Sequence, residues 1–306
     1  MAIIDVKGVS KIFGSKRAVD EVSFDVEQGR IFGLLGPNGA GKTTTLRMIN
    51  YILEPDEGEI VIDGMRAGPE TQKIIGYLPE ERGLYKKMKV GEQLIYLAQL
   101  KDMGYDEARK AIKYWLDRFN ASDWFGMEVG ELSKGMTQKV QFIATIAHNP
   151  KIYIFDEPFT GLDPINSELL KEIILELRNE GKTIIFSTHR MEQIEQLCDD
   201  ICLINNGKAI LDGNLRDIKR SYGENTVLIE FSGTDNFLDE LEGVRINNRS
   251  TNFAEIRLLD GTRDQEVLRK AMEHVEIQRF ERVEPSLTDI FISEVGEENI
   301  NPKELQ

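Results

Sequence analysis

Short apolar runs alternate with turn residues along about the first sixty residues of the chain. IIDV, EVSFDV, IFGLL and EIVID have the composition and length of β-strands, and a glycine-rich stretch follows the third of them. After the glycines, TTLRMINYI has the spacing of a helix. The pattern predicts short strands and one helix that opens directly after the glycines.

Helical spacing replaces this alternation from about residue 90 to residue 120. Apolar residues recur there on a single helix face, with Lys and Asp between them, at Ala108, Ile112, Trp115, Leu116 and Phe119. The spacing predicts an all-helical insert, which we extend over about residues 88–150.

Two further apolar runs, KIYIFDEP and TIIFSTH, stand on either side of the helical stretch SELLKEIILELRNEGK. A strand, a helix and a second strand in this order are typical of a parallel sheet covered on both faces. We therefore assign residues 1–221 to one α/β domain.

The pattern restarts past residue 221 in a smaller unit. VLIEF, FAEIRLL and VEIQRF are predicted strands, DQEVLRKAMEH is a predicted helix, and SLTD before IFISEV is a capping box that opens a last helix. These elements predict a small α+β domain over residues 222–306. Its last ten residues, EENINPKELQ, are polar, and we expect them to be frayed.

Composition supports two folded units and excludes some functions. The 306 residues are 41% hydrophobic and 30% charged, which suffices for one large or two small cores. A net charge of −15 argues against a nucleic-acid partner. Most of this charge lies in the tail, since residues 223–306 hold 19 acidic and 9 basic residues against 34 and 29 in the first 222.

Cysteine usage and hydropathy indicate an intracellular protein. Cys198 and Cys202 are too few for a disulfide framework and lack a second pair for structural zinc, so we expect reduced thiols. No apolar run approaches the roughly 18 residues of a membrane helix, and AIIDV after Met1 does not resemble a signal peptide. We expect a cytosolic product.

A phosphate-binding loop is the strongest chemical signal in the chain. It fits G-x-x-x-x-G-K-[ST] between a strand and a helix, and it comprises Gly36, Pro37, Asn38, Gly39, Ala40, Gly41, Lys42 and Thr43. Its glycines allow backbone N–H groups to surround the β- and γ-phosphates, which the positive end of the helix also favours. Lys42 supplies a positive charge, and Thr43 offers a hydroxyl to Mg²⁺.

An acidic pair, Asp156-Glu157, follows the apolar run IYIF more than a hundred residues later. Such a pair alone is more often a helix cap. At the carboxyl end of a parallel strand, however, Asp156 can reach Mg²⁺, and Glu157 can orient and deprotonate a water molecule. With the phosphate loop present, we interpret the pair as catalytic.

These motifs together resemble those of the ATP-binding cassette (ABC) ATPases. LSKGM at residues 132–136 is similar to the LSGGQ signature of that family, and GLD ending at Asp163 is similar to its D-loop. His189 stands where the family has its switch histidine, and Phe13 matches the aromatic residue that stacks on adenine. The resemblance covers roughly residues 2–220.

The resemblance implies a fold and a set of nucleotide contacts. The fold is an α/β P-loop NTPase cassette with a mixed and parallel sheet core, an antiparallel β subdomain and an all-helical insert, followed by the small α+β domain. Phe13 and the loop from Gly36 to Thr44 would bind ATP. Ser133 and Gly135 would bind the γ-phosphate of ATP held by a second cassette.

The resemblance also implies catalytic and metal-binding roles. Glu157 would be the general base, His189 would contact the γ-phosphate, and Lys42 would complete the catalytic group. Thr43 and Asp156 would hold Mg²⁺, with Glu80 as a further candidate ligand. ATP and Mg²⁺ are therefore the implied cofactors.

Two departures from the family pattern change the expected chemistry. The signature has Lys134 and Met136 in place of a glycine and a glutamine, which affects ribose contact and the symmetry of a dimer. The segment IGYLPE ends in Glu80, where the family usually has glutamine. Because this carboxylate adds negative charge near Asp156 and Glu157, we expect Glu80→Gln to keep ATP binding while changing the coupling of hydrolysis.

YLPEERGLYKKMKV and EPSLTDIFISEV resemble segments of sodium-extrusion and drug-export ATPases. This resemblance implies the cytoplasmic subunit of an exporter, peripheral on the inner face of the membrane, for sodium or a drug. Its partners would be a separate transmembrane permease and a second ABC ATPase subunit, identical or different. Leu84, Tyr85 and Met88 are either ordinary packing residues or a docking surface for the permease.

Two other functions remain open. One is a soluble, non-transporting ABC ATPase that acts on ribosomes or DNA, which the single cassette and the acidic surplus disfavour. The other is a sensor or regulatory module that uses ATP-dependent dimerisation as a switch. Glu157 and His189 favour turnover over sensing.

Overall fold

The computed structural model describes residues 2–81, 83–222, 226–259 and 261–295. The chain divides at Gly213 into two units, each with its own internal contacts. The sequence places the helix Leu215–Ser221 in the first domain, whereas this division groups it with the second unit.

The first unit contains most of the strands and helices that the sequence predicts. In chain order they are β1 (Ala2–Phe13), β2 (Lys16–Glu27), β3 (Ile31–Leu35), α1 (Lys42–Ile49), β4 (Glu57–Ile62), β5 (Met65–Arg66), α2 (Pro69–Lys73), β6 (Ile75–Leu78), α3 (Val90–Gln99), α4 (Tyr105–Arg118), α5 (Lys134–Ile146), β7 (Ile152–Asp156), α6 (Pro164–Asn179), β8 (Thr183–Thr188), α7 (Met191–Leu197), β9 (Asp200–Asn205) and β10 (Lys208–Asn214). Two 3₁₀ turns, Ser122–Gly126 and Val129–Glu131, lie between α4 and α5.

The first two strands are longer than predicted. β1 and β2 each have 12 residues and pair antiparallel, with several shifts in register, in a sheet of order β2-β1-β4-β5. The prediction of short strands was wrong here because register shifts interrupt the period-two alternation that marks a strand in sequence. Phe24 of β2 stacks on Phe32 of β3 with ring centroids 5.0 Å apart, which joins this sheet to the next.

The central sheet has the order β10-β9-β3-β8-β7-β6 in the part of the chain that the structure describes. β3 pairs in parallel with β8 and β9, and β7 pairs in parallel with β6 and β8. Every residue of β3, β7 and β8 is buried, as the sequence predicts for strands covered on both faces. Because these strands are parallel, their carboxyl ends meet at one edge, where open α/β sheets bind ligands.

The insert between β6 and β7 is helical, as predicted. Helices α3, α4 and α5 form it, and Ala108, Ile112 and Leu116 on α4 are buried together with Phe119 just after it. Trp115 is only half-buried, although the helical spacing places it on the same face.

The second unit is an antiparallel sheet with helices. Its elements are α8 (Leu215–Ser221), β11 (Thr226–Ser232), β12 (Val244–Arg249), β13 (Phe253–Leu258), α9 (Asp264–His274), β14 (Glu276–Val283) and α10 (Leu287–Val295), with strand order β12-β13-β11-β14. The predicted capping box is confirmed, since the N–H of Asp289 donates to Ser286 Oγ at 3.1 Å. The sequence missed β12 because VRINNR alternates only over its first four residues and contains only two apolar residues. The tail EENINPKELQ, expected to be frayed, lies outside the described residues.

None of the helices in the described ranges combines the length and the apolar character needed to cross a bilayer.

Cys198 and Cys202 are free thiols, and burial raises the pKa of both. Both therefore behave as packed thiols rather than as thiolate nucleophiles.

Candidate nucleotide-binding and hydrolysis site

The phosphate loop turns sharply between β3 and α1, and at two of its positions only glycine fits without a steric clash. Gly36 has a φ of 147°, and a Cβ placed on it would lie 1.9 Å from the carbonyl oxygen of Ile204. Gly41 has a φ of 114°, and its Cβ would lie 2.6 Å from the carbonyl oxygen of Ala18. A side chain at either position would clash with backbone, so these glycines fix the path of the loop against β9 and β2.

Lys42 opens α1, and its side chain folds back into the loop. Its Nζ donates to the carbonyl oxygen of Gly36 at 2.6 Å and to that of Pro37 at 3.1 Å. The residue is 6% exposed, so its charge faces the loop rather than bulk water. A buried ammonium at the start of a helix makes the loop suited to an anion.

Asp156 ends β7 and accepts hydrogen bonds from two hydroxyls. Thr43 Oγ1 donates to its Oδ1 at 3.2 Å, and Ser187 Oγ donates to the same oxygen at 2.5 Å. The sheet register explains the second contact, because Asp156 pairs with Ser187 of β8. The phosphate loop, β7 and β8 therefore converge on one carboxylate that is 1% exposed.

The second carboxylate oxygen, Oδ2 of Asp156, is buried and has no hydrogen-bond partner among the described residues. An unpaired buried carboxylate oxygen is unfavourable, and a cation compensates it. Carboxylate and hydroxyl oxygens are also the hard ligands that Mg²⁺ prefers. Thr43 and Asp156 therefore fit a magnesium ion.

Glu157 follows Asp156 in a left-handed backbone conformation with a φ of 50°. Its N–H donates to the carbonyl oxygen of Ser187 at 3.2 Å and to the hydroxyl oxygen of the same residue at 3.1 Å, which stabilises this turn. Its Oε1 lies 2.8 Å from His189 Nδ1. At this distance the two groups share a hydrogen bond, in which Nδ1 is the donor when the carboxylate is ionised.

A cavity of about 440 Å³ lies beside the phosphate loop and is also lined by Phe13, Glu80 and Glu157, whereas its lining does not include Asp156. Phe13 is 48% exposed at the end of β1, so its ring is accessible for stacking. Burial and the charges of Asp156 and Glu157 raise the pKa of Glu80. The loop contributes Asn38, Gly39, Gly41, Lys42, Thr43 and Thr44 to the lining.

Ser133, Gly135 and Asp163 form a separate group. Ser133 caps α5, since its Oγ accepts from the N–H of Met136 at 3.3 Å. Asp163 caps α6 by accepting from the N–H of Asn166 at 3.0 Å, and this hydrogen bond lowers its pKa. All three lie apart from the cavity, whose lining among the described residues does not include them, and both caps are exposed.

Sequence reasoning missed three residues that support the site. Ser187 is bonded to Asp156 at the end of β7 and to Glu157 just after it, and its only signal is its place near the end of the apolar run TIIFSTH. Gln138 and Gln141 of α5 are buried, and their Nε2 atoms donate to the carbonyl oxygens of Pro158 at 3.1 Å and of Glu81 at 3.0 Å. Two amides on the face of α5 that also carries its buried apolar residues were the available signal.

Comparison with known families accounts for both parts of the chain. Residues 19–160 match the family described as ABC transporter. Residues 213–295 match the C-terminal domain of DrrA1-3-like ATP-binding proteins. The two matched families therefore correspond to the cassette and to the appended α+β unit.

Two known relatives span nearly the whole chain. The uncharacterized ABC transporter ATP-binding protein YhaQ of Bacillus subtilis (strain 168) is 45% identical over 96% of this chain and 99% of its own. The Nod factor export ATP-binding protein I of Rhizobium sp. (strain N33) is 33% identical over 96% of this chain and 97% of its own.

The fold of the cassette also matches a solved structure. The dimeric bacterial ABC transporter cassette MJ0796 is similar at a TM-score of 0.65 and 26% identity, covering 70% of this chain and 99% of that one. The expected α/β P-loop cassette is thus confirmed. Given its phosphate loop, its acidic pair and a relative 45% identical over almost its full length, this chain belongs to the ATP-binding subunits of ABC transporters, which are ATP-hydrolysing enzymes.

Proposed function

We propose that this chain is the motor subunit of an exporter, in which ATP bound between two cassettes drives a separate permease. The observation that carries the proposal is the buried Asp156 carboxylate, which is bonded to Thr43 of the phosphate loop beside the Glu157–His189 pair. This arrangement brings a phosphate-binding group and a proton-accepting group to the same edge of one sheet.

Binding of ATP is assigned to residues of the cassette itself. Lys42 and the N–H groups of the loop hold the β- and γ-phosphates, and the exposed ring of Phe13 stacks on the adenine. When bound, Mg²⁺ neutralises charge on the β- and γ-phosphate oxygens. Thr43 and Asp156 would hold the ion, with Glu80 as a further candidate.

Hydrolysis is assigned to Glu157 as the general base. Its carboxylate accepts the proton of the water that attacks the γ-phosphorus, while the 2.8 Å contact with His189 orients it. His189 can donate to Glu157 from Nδ1 and to the γ-phosphate from Nε2 only as the imidazolium, because a neutral ring carries one N–H. Lys42 stabilises the charge on the transferred phosphoryl group.

A second cassette would complete the site. Ser133 and Gly135 would bind the γ-phosphate held by the phosphate loop of the other subunit, in a homodimer or a heterodimer. Ile165, two residues after Asp163, is 83% exposed, and a partner surface would cover this apolar side chain. The dimeric structure of the similar cassette MJ0796 supports the arrangement.

Export is the proposed direction of transport, with sodium or a drug as the cargo. The similar Nod factor export ATP-binding protein I supports export, and the sodium and drug alternatives rest on the sequence resemblance alone. The subunit would lie at the cytoplasmic face of the membrane, with the region from about residue 222 as an accessory domain. Tyr85, which is 59% exposed, favours a docking role for the segment around it.

The assigned base is tested by Glu157→Gln. We expect this variant to bind ATP, to release phosphate about 10³-fold more slowly, and to elute as an ATP-dependent dimer in size-exclusion chromatography. Glu172→Gln, an exposed position on α6, is the matched control and should turn over normally. Rapid phosphate release by the Glu157→Gln protein would refute the assignment.

The transport role is tested by co-expression with a candidate permease, taken from any membrane-protein gene adjacent to the gene of this chain. We expect a detergent-stable complex whose ATPase rate in lipid vesicles responds to the exported cargo, with a sodium gradient and a cationic drug as separate conditions. Sedimentation with ribosomes in place of the membrane protein would overturn the exporter proposal. An ATPase rate that is the same with and without the permease would favour the sensor alternative.

A further inference from the structure

The backbone at Glu157 and Pro158 has an unfavourable conformation. Glu157 has a φ of 50°, in the left-handed region that residues other than glycine rarely adopt. The next residue is a proline, whose ring favours extended conformations for the residue before it. Such a conformation persists only where surrounding contacts hold it. The contacts on either side of Glu157 therefore decide where its carboxylate lies.

Strand β8 holds Glu157 from one side. The N–H of Glu157 donates to the carbonyl oxygen of Ser187 at 3.2 Å and to its hydroxyl oxygen at 3.1 Å. Further along the loop, the buried ring of Phe159 packs edge-on against Phe186 of β8, with ring centroids 6.0 Å apart. None of these contacts pairs the carbonyl oxygen of Pro158, which lies between them.

Helix α5 supplies the partner of the Pro158 carbonyl. Gln138 Nε2 donates to this oxygen at 3.1 Å, and Gln138 is only 5% exposed. Because proline has no N–H, the carbonyl is the one backbone group through which Pro158 can be hydrogen-bonded. A buried acceptor that loses its donor is unfavourable, so this bond resists displacement of Pro158 and of the adjacent Glu157.

Two further contacts fix the position of α5 on either side of Gln138. One turn after it, Phe142 packs against Phe155 of β7 with ring centroids 5.0 Å apart. In the first turn of the helix, a Cβ placed on Gly135 would lie 3.7 Å from the carbonyl oxygen of Gly161. The helix therefore lies along both β7 and the loop that follows it, with Gln138 between the two contacts.

We propose that Gln138 is a positioning residue for hydrolysis. Its amide holds the Pro158 carbonyl, so that the strained Glu157 keeps its carboxylate at the cavity and 2.8 Å from His189. Without this donor, the backbone relaxes towards the extended conformation that a residue before proline favours, and the carboxylate moves away. The inference rests on the proposed role of Glu157 as the general base.

Gln138→Met tests the inference in the full-length protein. Methionine is similarly long and unbranched but has no side-chain N–H, so the Pro158 carbonyl loses its donor. We expect kcat for phosphate release from Mg-ATP to fall at least about tenfold, because a small displacement of the base slows the reaction. KM for ATP should stay within about twofold, because the phosphate loop is unaltered.

Thr145→Val is the matched control on the same helix. Thr145 is buried, and its hydroxyl donates to the carbonyl oxygens of Tyr77 at 3.4 Å and of Gln141 at 3.0 Å. Neither partner belongs to the loop after Glu157. We expect the melting temperature of both variants to fall, whereas only Gln138→Met should lose turnover. An equal fall of kcat in both proteins would show a general effect of helix stability and would overturn the assignment.

Combination with Glu157→Gln separates positioning of the base from any other effect. If Gln138 acts through Glu157, Gln138→Met should change the residual rate of the Glu157→Gln protein by less than about twofold. A further tenfold loss would refute the inference. Rapid release by Glu157→Gln alone would instead refute the proposed base. Slow release by that protein, together with a normal kcat in Gln138→Met, would refute this inference only.

Gln138→Asn provides a second variant in case the methionine substitution prevents folding. It keeps a polar amide but withdraws it by one methylene group, so the hydrogen bond to Pro158 is lost. We expect kcat to fall at least about fivefold while KM for ATP is unchanged. A kcat equal to that of the unaltered protein would overturn the proposal.

Discussion

The phosphate-loop half and the signature half of the proposed ATP site differ in what surrounds them. Lys42 and Asp156 are 6% and 1% exposed and are bonded to other groups of their own unit. Ser133 and Asp163 are exposed and cap the helices that they begin. Folding of one chain therefore builds the first half completely, whereas it only presents the second half at the surface.

Because of this difference, we expect the same kind of substitution to affect chain stability in the first half and dimer assembly in the second. In the buried half, a substitution acts on the folded chain itself, because neighbouring groups lose their partners. In the exposed half, it should act on assembly, since solvent replaces the lost contact until a second cassette arrives. Matched pairs of substitutions can test the comparison directly.

The largest expected effect comes from a pair of glycines. Gly36→Ala should lower the free energy of unfolding of the first unit by about 3–5 kcal/mol, because its Cβ would lie 1.9 Å from a carbonyl oxygen at a φ of 147°. Gly135→Ala should change it by less than about 1 kcal/mol, since the nearest atom to its Cβ is 3.7 Å away. Urea unfolding followed by tryptophan fluorescence measures both, because Trp115 and Trp124 lie in this unit. Equal losses of unfolding free energy in the two variants would show that the two halves do not differ in this way.

A pair of serines gives the next effect, because each hydroxyl accepts from a backbone N–H. Ser187→Ala removes the hydroxyl that donates to the buried Asp156 carboxylate and one of the two acceptors of the Glu157 N–H, so it should cost about 2–3 kcal/mol and slow phosphate release. Ser133→Ala removes a helix cap and should cost about 1 kcal/mol.

The functional consequences of the two serine variants should separate more clearly than their stabilities. We expect the Ser133→Ala protein to bind ATP with normal affinity as a monomer and to lose ATP-dependent dimerisation, as measured by nucleotide titration and analytical ultracentrifugation. Weakened monomer binding in this variant would show that Ser133 belongs to the same half-site as Lys42.

The smallest expected effect concerns Glu80. Partial burial and two negative neighbours raise its pKa, so its ionised form destabilises the fold. This penalty grows as pH rises from the ordinary pKa of glutamate to the raised pKa of Glu80. Glu80→Gln should therefore stabilise the chain by less than about 0.5 kcal/mol at alkaline pH, because the side chain is largely exposed. The gain should vanish below the ordinary pKa of glutamate.

Catalysis gives a second measurement on the same variant. ATP binding by the Glu80→Gln protein should remain, while the pH profile of hydrolysis and its coupling to transport should change. If the pH profile of hydrolysis and the number of ATP molecules used per transport cycle are identical to those of the unaltered protein, Glu80 has no role in hydrolysis or its coupling.

Much of this architecture could be predicted from sequence because its signals are local. The phosphate loop places Lys42 and Thr43 next to each other, and the buried runs ending at Asp156 and Thr188 mark two parallel strands. The contacts of Ser187 could not be predicted, since they depend on the register between β7 and β8.

Three other features could not be predicted because they depend on contacts between residues that are distant in the sequence. The full length of β1 and β2 depends on pairing across register shifts, and β12 depends on a neighbour strand rather than on its own pattern. The left-handed conformation of Glu157 is held by β8, so no rule about its own residue type predicts it.

Helix α5 is bonded through two buried glutamines to the loops that follow Glu80 and Glu157. Gln138 is bonded to the carbonyl of Pro158, the residue after Glu157, and Gln141 is bonded to the carbonyl of Glu81, the residue after Glu80. A small tilt of this one helix would therefore displace both carboxylates in the same motion. The position of α5 and the positions of Glu80 and Glu157 are therefore coupled through these two hydrogen bonds.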